Sequence, residues 1–116
     1  MDFALTEEQR MLQQSIAGFL ETNCPLDVVR SAAAANTTRV EDIADGLSNL
    51  GVPGIIIPEE YGGVGLDFLE AALISEALGT VAAPVPFVAT SIMAPLAILR
   101  GLPSKCLIKY LEYINK

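Results

Sequence analysis

The sequence has no histidine and no tryptophan, only two cysteines, and seven basic side chains against fourteen acidic ones. Each scarcity closes a class of function. Without His, the commonest metal ligand and the proton shuttle of neutral pH are both missing, and no metal-ligand spacing exists, so no metal site is expected. Cys24 and Cys106 stand far apart with no CxxC, which reads as two small thiols in a reducing cytosol rather than a disulfide or redox pair. A net charge of −7 with no Lys/Arg stripe excludes a phosphate backbone as partner, hence no nucleic acid. Met1-Asp2-Phe3 lacks the basic and apolar regions of an export signal, so a cytoplasmic location is expected. The charge-free stretch from Ala77 to Leu99 is long enough to cross a bilayer. Pro84, Pro86 and Pro95 would leave its backbone groups unpaired in lipid, so no membrane partner is expected.

What remains is a chain of 116 residues, 52% hydrophobic, long enough for one domain with a modest core. Its organising stretch runs from Leu50 to Leu66 and holds five glycines and two prolines around Ile55-Ile56-Ile57. Gly and Pro forbid a regular helix there, while three isoleucines are too apolar for water. A buried crossing segment between helical layers satisfies both demands, with Tyr61-Gly62-Gly63-Val64-Gly65 as the turn that re-aims the chain.

Around this stretch the apolar periodicity is helical. Thr6-Glu7-Glu8-Gln9 is a capping box, and Leu12, Ile16, Phe19 and Leu20 form one stripe, predicting a helix over 7–22. A second, weakly packing helix is expected over 25–35, opened by Pro25. Thr38-Arg39-Val40-Glu41 reads as another capping box before Ile43, Ala44, Leu47 and Leu50, with Gly51 as the terminator. Asp67 opens a fourth helix to Leu78, apolar nearly all round and therefore expected to be buried. A fifth helix is expected over 82–100, kinked at Pro95, and a last one after Pro103 with Leu107, Tyr110, Leu111 and Ile114 on one side. No region alternates with period two. The expected fold is all-α, an up-and-down bundle of five or six helices.

Two constellations invite a chemical reading. Gly63-Val64-Gly65 before a helix imitates a dinucleotide-binding turn, but Phe68 stands where the third glycine belongs. Glu59, Glu60 and Asp67 would also repel a pyrophosphate, so a tight structural turn is the simpler reading. Glu70 and Glu76 could do acid–base work if burial shifted one of them. Six positions apart on a helix they face different ways, and Glu70 is the natural third-position partner of Asp67. No catalytic residue is assigned.

Pro58-Glu59-Glu60-Tyr61-Gly62-Gly63-Val64-Gly65-Leu66, followed by Ser75-Glu76-Ala77-Leu78-Gly79, resembles the N-terminal helical domain of the acyl-CoA dehydrogenases, as does Phe3-Ala4-Leu5-Thr6-Glu7-Glu8-Gln9-Arg10. The resemblance implies that residues 1–116 are that domain, with the family's middle β-domain and C-terminal helical domain absent. It further implies an oxidoreductase lineage that converts acyl-CoA to 2,3-enoyl-CoA with FAD. Flavin and catalytic carboxylate come from the other domains there, so this chain alone is expected to bind no cofactor and to be inactive. The family's corresponding helix helps to wall the acyl-chain tunnel, which makes Phe87, Thr90, Ser91, Ala94 and Ile98 candidate wall positions beside their plainer reading as core. The 82–99 face, uncovered, is expected to drive a homo-oligomer, or a hetero-oligomer with a flavin-containing chain. A helical interaction module without chemistry, or a partner subunit of a multi-chain dehydrogenase, stays open as an alternative.

Overall fold

A computed structural model describes residues 3–101 and 104–114, all of whose regular structure is helical. Six helices follow one another: α1 (Glu7–Asn23), α2 (Leu26–Ala34), α3 (Glu41–Asn49), α4 (Phe68–Thr80), α5 (Ala94–Gly101) and α6 (Ser104–Ile114). Helix α5 continues a π-helical turn, Val88–Met93. The Thr6 capping box forms as expected: Gln9 N–H donates to Thr6 Oγ1 and Thr6 N–H to Gln9 Oε1, at 3.2 and 2.9 Å. The expected turn at Pro103 lies outside the described residues, as does the side chain of Ile114.

The core is a contact of α1, α3 and α4, where Ile16, Leu20, Ile43, Leu47, Ala71, Ile74 and Leu78 close on one another. Helix α2 buries only Ala32 fully, as its alanine-rich end foretold. The crossing segment runs through the middle as two 3-10 turns, Val52–Gly54 and Glu59–Tyr61. Ile55 joins the main core, while Ile57, fully buried, anchors a second cluster with Leu107 and Leu111 of α6. One tripeptide therefore holds both halves.

Three expectations need correction. Thr38 does not cap α3. The helix is capped at Val40, which makes Glu41 its first residue instead of the third-position partner a Thr38 box needs; Glu41 pairs with Arg39 at 3.0 Å, and Val40 N–H donates to the Pro84 carbonyl. The fifth helix does not begin at residue 82. Ala82 takes a left-handed conformation (φ 50°) that ends α4, with Ala83 N–H reaching the Leu78 carbonyl, and residues 82–86 become a strap seating α3. Finally, α4 is not buried all round: Phe68, Leu69, Ala72 and Glu76 are exposed, while Ala71, Leu73, Ile74 and Leu78 are buried and Ala77 packs at the core's edge.

The π-helical turn has a chemical cause. Pro95 has no amide to donate, and its ring would strike the carbonyl of Ser91 in a regular helix. The helix widens ahead of it, Ala94 N–H donating to the Ala89 carbonyl five residues back, and Pro95 ends fully buried.

A left-handed alanine costs roughly 1–2 kcal/mol, against the ~0.4–1 kcal/mol that a glycine gives up through the unfolded chain. Ala82→Gly is therefore expected to raise stability by about 0.5–1 kcal/mol, measured by urea unfolding.

Candidate functional site

The start of the fifth helical stretch lies against α3 and the turn Val52–Gly54, and a crevice of about 40 Å³ separates them. Phe87, Thr90 and Ser91 line it, opposite Leu47, Val52 and Pro53. Thr90 is locked in place because both its amide and its hydroxyl donate to the Pro86 carbonyl, at 3.1 and 2.8 Å. Ser91 is buried, 4% exposed. On the other side Phe87 also lines an open groove of about 350 Å³ between the end of α4 and Val88 and Ala89.

The five sequence-predicted positions therefore divide. Phe87, Thr90 and Ser91 meet at one crevice. Ala94 is half-buried and lines neither the crevice nor the groove, and Ile98 packs on the cluster of Ile57, Leu107 and Leu111 under α6. The outward side carries Ala89, Thr90, Met93 and Ala97, all exposed. Of these only Thr90 was singled out from the sequence. The spacing of 89, 93 and 97 was the available signal, but which side of an uncharged helix faces outward is not written in its own residues.

The glycine turn offers nothing to a phosphate. Gly63 N–H donates to the Pro58 carbonyl, Val64 to Gly54, Gly65 to Ile57 and Leu66 to Ile55, at 2.9–3.2 Å, so four successive amides are spent on the chain itself. Glu59 packs on Gly65, placing a carboxylate where an anion would have to sit. These residues do not fit the pyrophosphate of a dinucleotide such as FAD. Among the described residues no group of His, Cys, Asp and Glu could hold a metal ion, and no helix is long and apolar enough to cross a membrane.

Glu70 is committed to structure. Its Oε1 accepts Gln9 Nε2–H at 2.9 Å, tying α4 to α1, and its Oε2 accepts the Asp67 amide at 3.1 Å. The bond from Gln9 pulls its pKa below the ordinary carboxylate value, ahead of a smaller opposing effect of desolvation. A carboxylate held ionised in this way is a poor proton acceptor at neutral pH. Because its folded pKa is depressed, Glu70 adds stability above the unfolded carboxylate range, and that contribution is lost as pH falls through the folded pKa. The Gln9→Ala variant is accordingly expected to be less stable than the parent at pH 7 and the gap to narrow in acid without closing, because the Thr6 amide also loses its Gln9 acceptor at every pH, read by thermal melts across pH. Cys24 is buried and its thiol pKa is raised by that burial, whereas Cys106 is exposed, and both are free.

The family model for the acyl-CoA dehydrogenase N-terminal domain matches residues 6–105. The chain belongs to the acyl-CoA dehydrogenase family. Mitochondrial isovaleryl-CoA dehydrogenase of Bos taurus is 36% identical over 81 residues, covering 70% of this chain and 19% of its own length. An acyl-CoA dehydrogenase of Mycolicibacterium smegmatis is 29% identical over 96 residues, 82% of this chain and 30% of its own. Glutaryl-CoA dehydrogenase of Desulfococcus multivorans is 33% identical over 78 residues, 66% of this chain and 20% of its own. The chain thus spans under a third of each of these relatives, and no solved structure matches it. The all-helical fold is that expected of the acyl-CoA dehydrogenase N-terminal domain.

Proposed function

We propose that this chain serves as the N-terminal helical wall of a FAD-dependent acyl-CoA dehydrogenase and has no turnover of its own. The observation that carries the reading is the outward side of the fifth helical stretch, where the small side chains of Ala89, Thr90 and Ala97 and the exposed Met93 form an uncharged surface that includes the π-helical turn. Small side chains leave room for an acyl chain, and the buried Pro95 keeps the surface from moving. FAD, when bound to the rest of such an enzyme, supplies the hydride acceptor that turns an acyl-CoA into a 2,3-enoyl-CoA. The residues of this chain contribute shape, exclude water, and carry no proton: Glu70 is engaged and Glu76 is solvent-exposed.

Its partner in this reading is a flavin-binding body that covers α5, either further along the same polypeptide or as a separate subunit. The same uncovered α5 surface would favour association of copies when that body is missing. The reading is tested by joining the chain to such a body and following acyl-CoA-dependent bleaching of flavin absorbance. Ala97→Trp is expected to lower kcat/KM for long acyl chains about 10- to 100-fold relative to short ones, the range available from filling an apolar pocket. Equal loss for every chain length would remove the wall assignment. Retained flavin binding by the isolated chain would overturn the claim that the cofactor site lies elsewhere.

A further inference from the structure

Buried and exposed side chains of the fifth helical stretch recur every four residues, which a regular α-helix does not sustain. Phe87, Ser91 and Pro95 are buried, while Ala89, Met93 and Ala97 are exposed. At ~100° per residue, four steps overshoot a full turn by about 40°, so two such intervals would carry Pro95 about 80° away from Phe87. The π-helical turn Val88–Met93 removes that drift. The bond from Ala94 N–H to the Ala89 carbonyl, five residues back, spends one more residue on the turn.

A regular helix over the same residues would bury a different row. Val88, Ile92, Pro95 and Leu99 stand at i, i+4, i+7 and i+11, the spacing of one α-helical side, and all four are apolar. Closing the turn would give each residue ahead of Pro95 the direction its predecessor holds now. Val88 would take the place of Phe87, Ile92 that of Ser91, and Ser91 would turn out where Thr90 lies. By side-chain polarity that row is the better one, since a buried hydroxyl needs a hydrogen-bond partner and an apolar chain does not. Yet Val88 is 49% exposed and Ser91 is buried. Pro95 opposes the regular row twice: it has no amide for the Ser91 carbonyl, and its ring would strike that carbonyl.

We infer that Pro95 is a positioning residue: from its buried seat it selects the π register of residues 88–93, and with it the side chains that the outward side presents. Where acyl chains are concerned, this rests on the wall reading above. In the π register the outward side offers one hydroxyl, that of Thr90. In the regular register Thr90 and Ser91 would take the directions of Ala89 and Thr90, and two hydroxyls would face an acyl chain.

Thiol labelling of the full chain reads the register directly. With Cys106→Ser removing the exposed thiol and Cys24 buried, Val88→Cys is expected to react fast and Ser91→Cys slowly. Adding Pro95→Ala is expected to reverse that order. An unchanged order overturns the inference, since packing and not Pro95 would then hold the register. Should Pro95→Ala melt too low for labelling, deletion of Ala89 decides. With one residue fewer, a regular helix seats both position 87 and position 95, so the deletion should raise the melting temperature of Pro95→Ala while lowering that of the parent. A fall in both overturns the inference. Joined to a flavin-binding body, Pro95→Ala is expected to lose kcat/KM about tenfold for long acyl chains relative to short ones. No change in that ratio, where Ala97→Trp does change it, also overturns the inference. The two readings fail separately. Reversed thiol order with no chain-length effect of Ala97→Trp removes the wall and keeps the register; a chain-length effect without the reversal does the opposite.

Discussion

Gly63→Ala is expected to cost this chain about 3–5 kcal/mol, most of the margin available to a domain of its size. A Cβ at Gly63 would land on the carbonyl group of Ile57 and on its own Cβ. The obstacle is backbone, and no rotamer change can relieve it. Moving Ile57 away breaks the Gly65 bond to its carbonyl (2.9 Å) and withdraws its fully buried side chain from the α6 cluster. At about 4 °C per kcal/mol for a domain of this length, the melting temperature should fall by ~12–20 °C. Gly62→Ala is the informative comparison. Gly62 has φ 84°, so alanine there meets the left-handed penalty of roughly 1–2 kcal/mol. If the two variants melt together, close packing against Ile57 is not what this turn depends on.

Leu111→Ala is expected to release α6 without unfolding the rest. Leu111 is 0% exposed and, among the described residues, shares its cluster with Ile57, Leu107 and the half-buried Tyr61, Ile98 and Leu99. Truncating a fully buried leucine costs about 2–5 kcal/mol, and here the loss falls on a helix seated by two buried residues. Amide exchange over 104–114 should rise toward that of an unfolded segment, because a small cooperative unit opens alone. Protection in α1, α3 and α4 should persist, since Ile16, Ile43 and Ile74 belong to the other cluster. Uniform loss of protection would instead mean that the two clusters fold as one.

Much of this fold was legible in the residues. The Thr6 capping box, the α1 stripe of Ile16 and Leu20 and the left-handed Gly62 and Gly65 follow from local rules that hold before any tertiary contact forms. So does the burial of Ile55 and Ile57, which no stretch with so many glycines and prolines could have hidden in a helix of its own. The Thr38 cap was misjudged because the helix starts two residues later, at Val40, whose amide is taken by the Pro84 carbonyl arriving from forty-four residues away in sequence. The start of the fifth helix was misplaced because Ala82 carries no glycine signal, yet the strap behind it forces a left-handed turn.

The candidate wall was harder to read. A helix such as 88–101, uncharged until Arg100, has no polar side to announce its direction, so the residues alone could not tell Ser91 from Thr90. Packing separates them: Ser91 is closed in by α3 and the Val52 turn, while Thr90, one position earlier, stays exposed.

By itself the sequence determined the helical class and the central bend, because periodicity, caps and glycine placement act over a few residues, and the lineage through the resemblance of residues 3–10, 58–66 and 75–79. The tertiary structure alone decided which sides of α4, α5 and α6 are exposed. An apolar side chain is drawn out of water without direction, and only the arrangement of its neighbours determines which way is in.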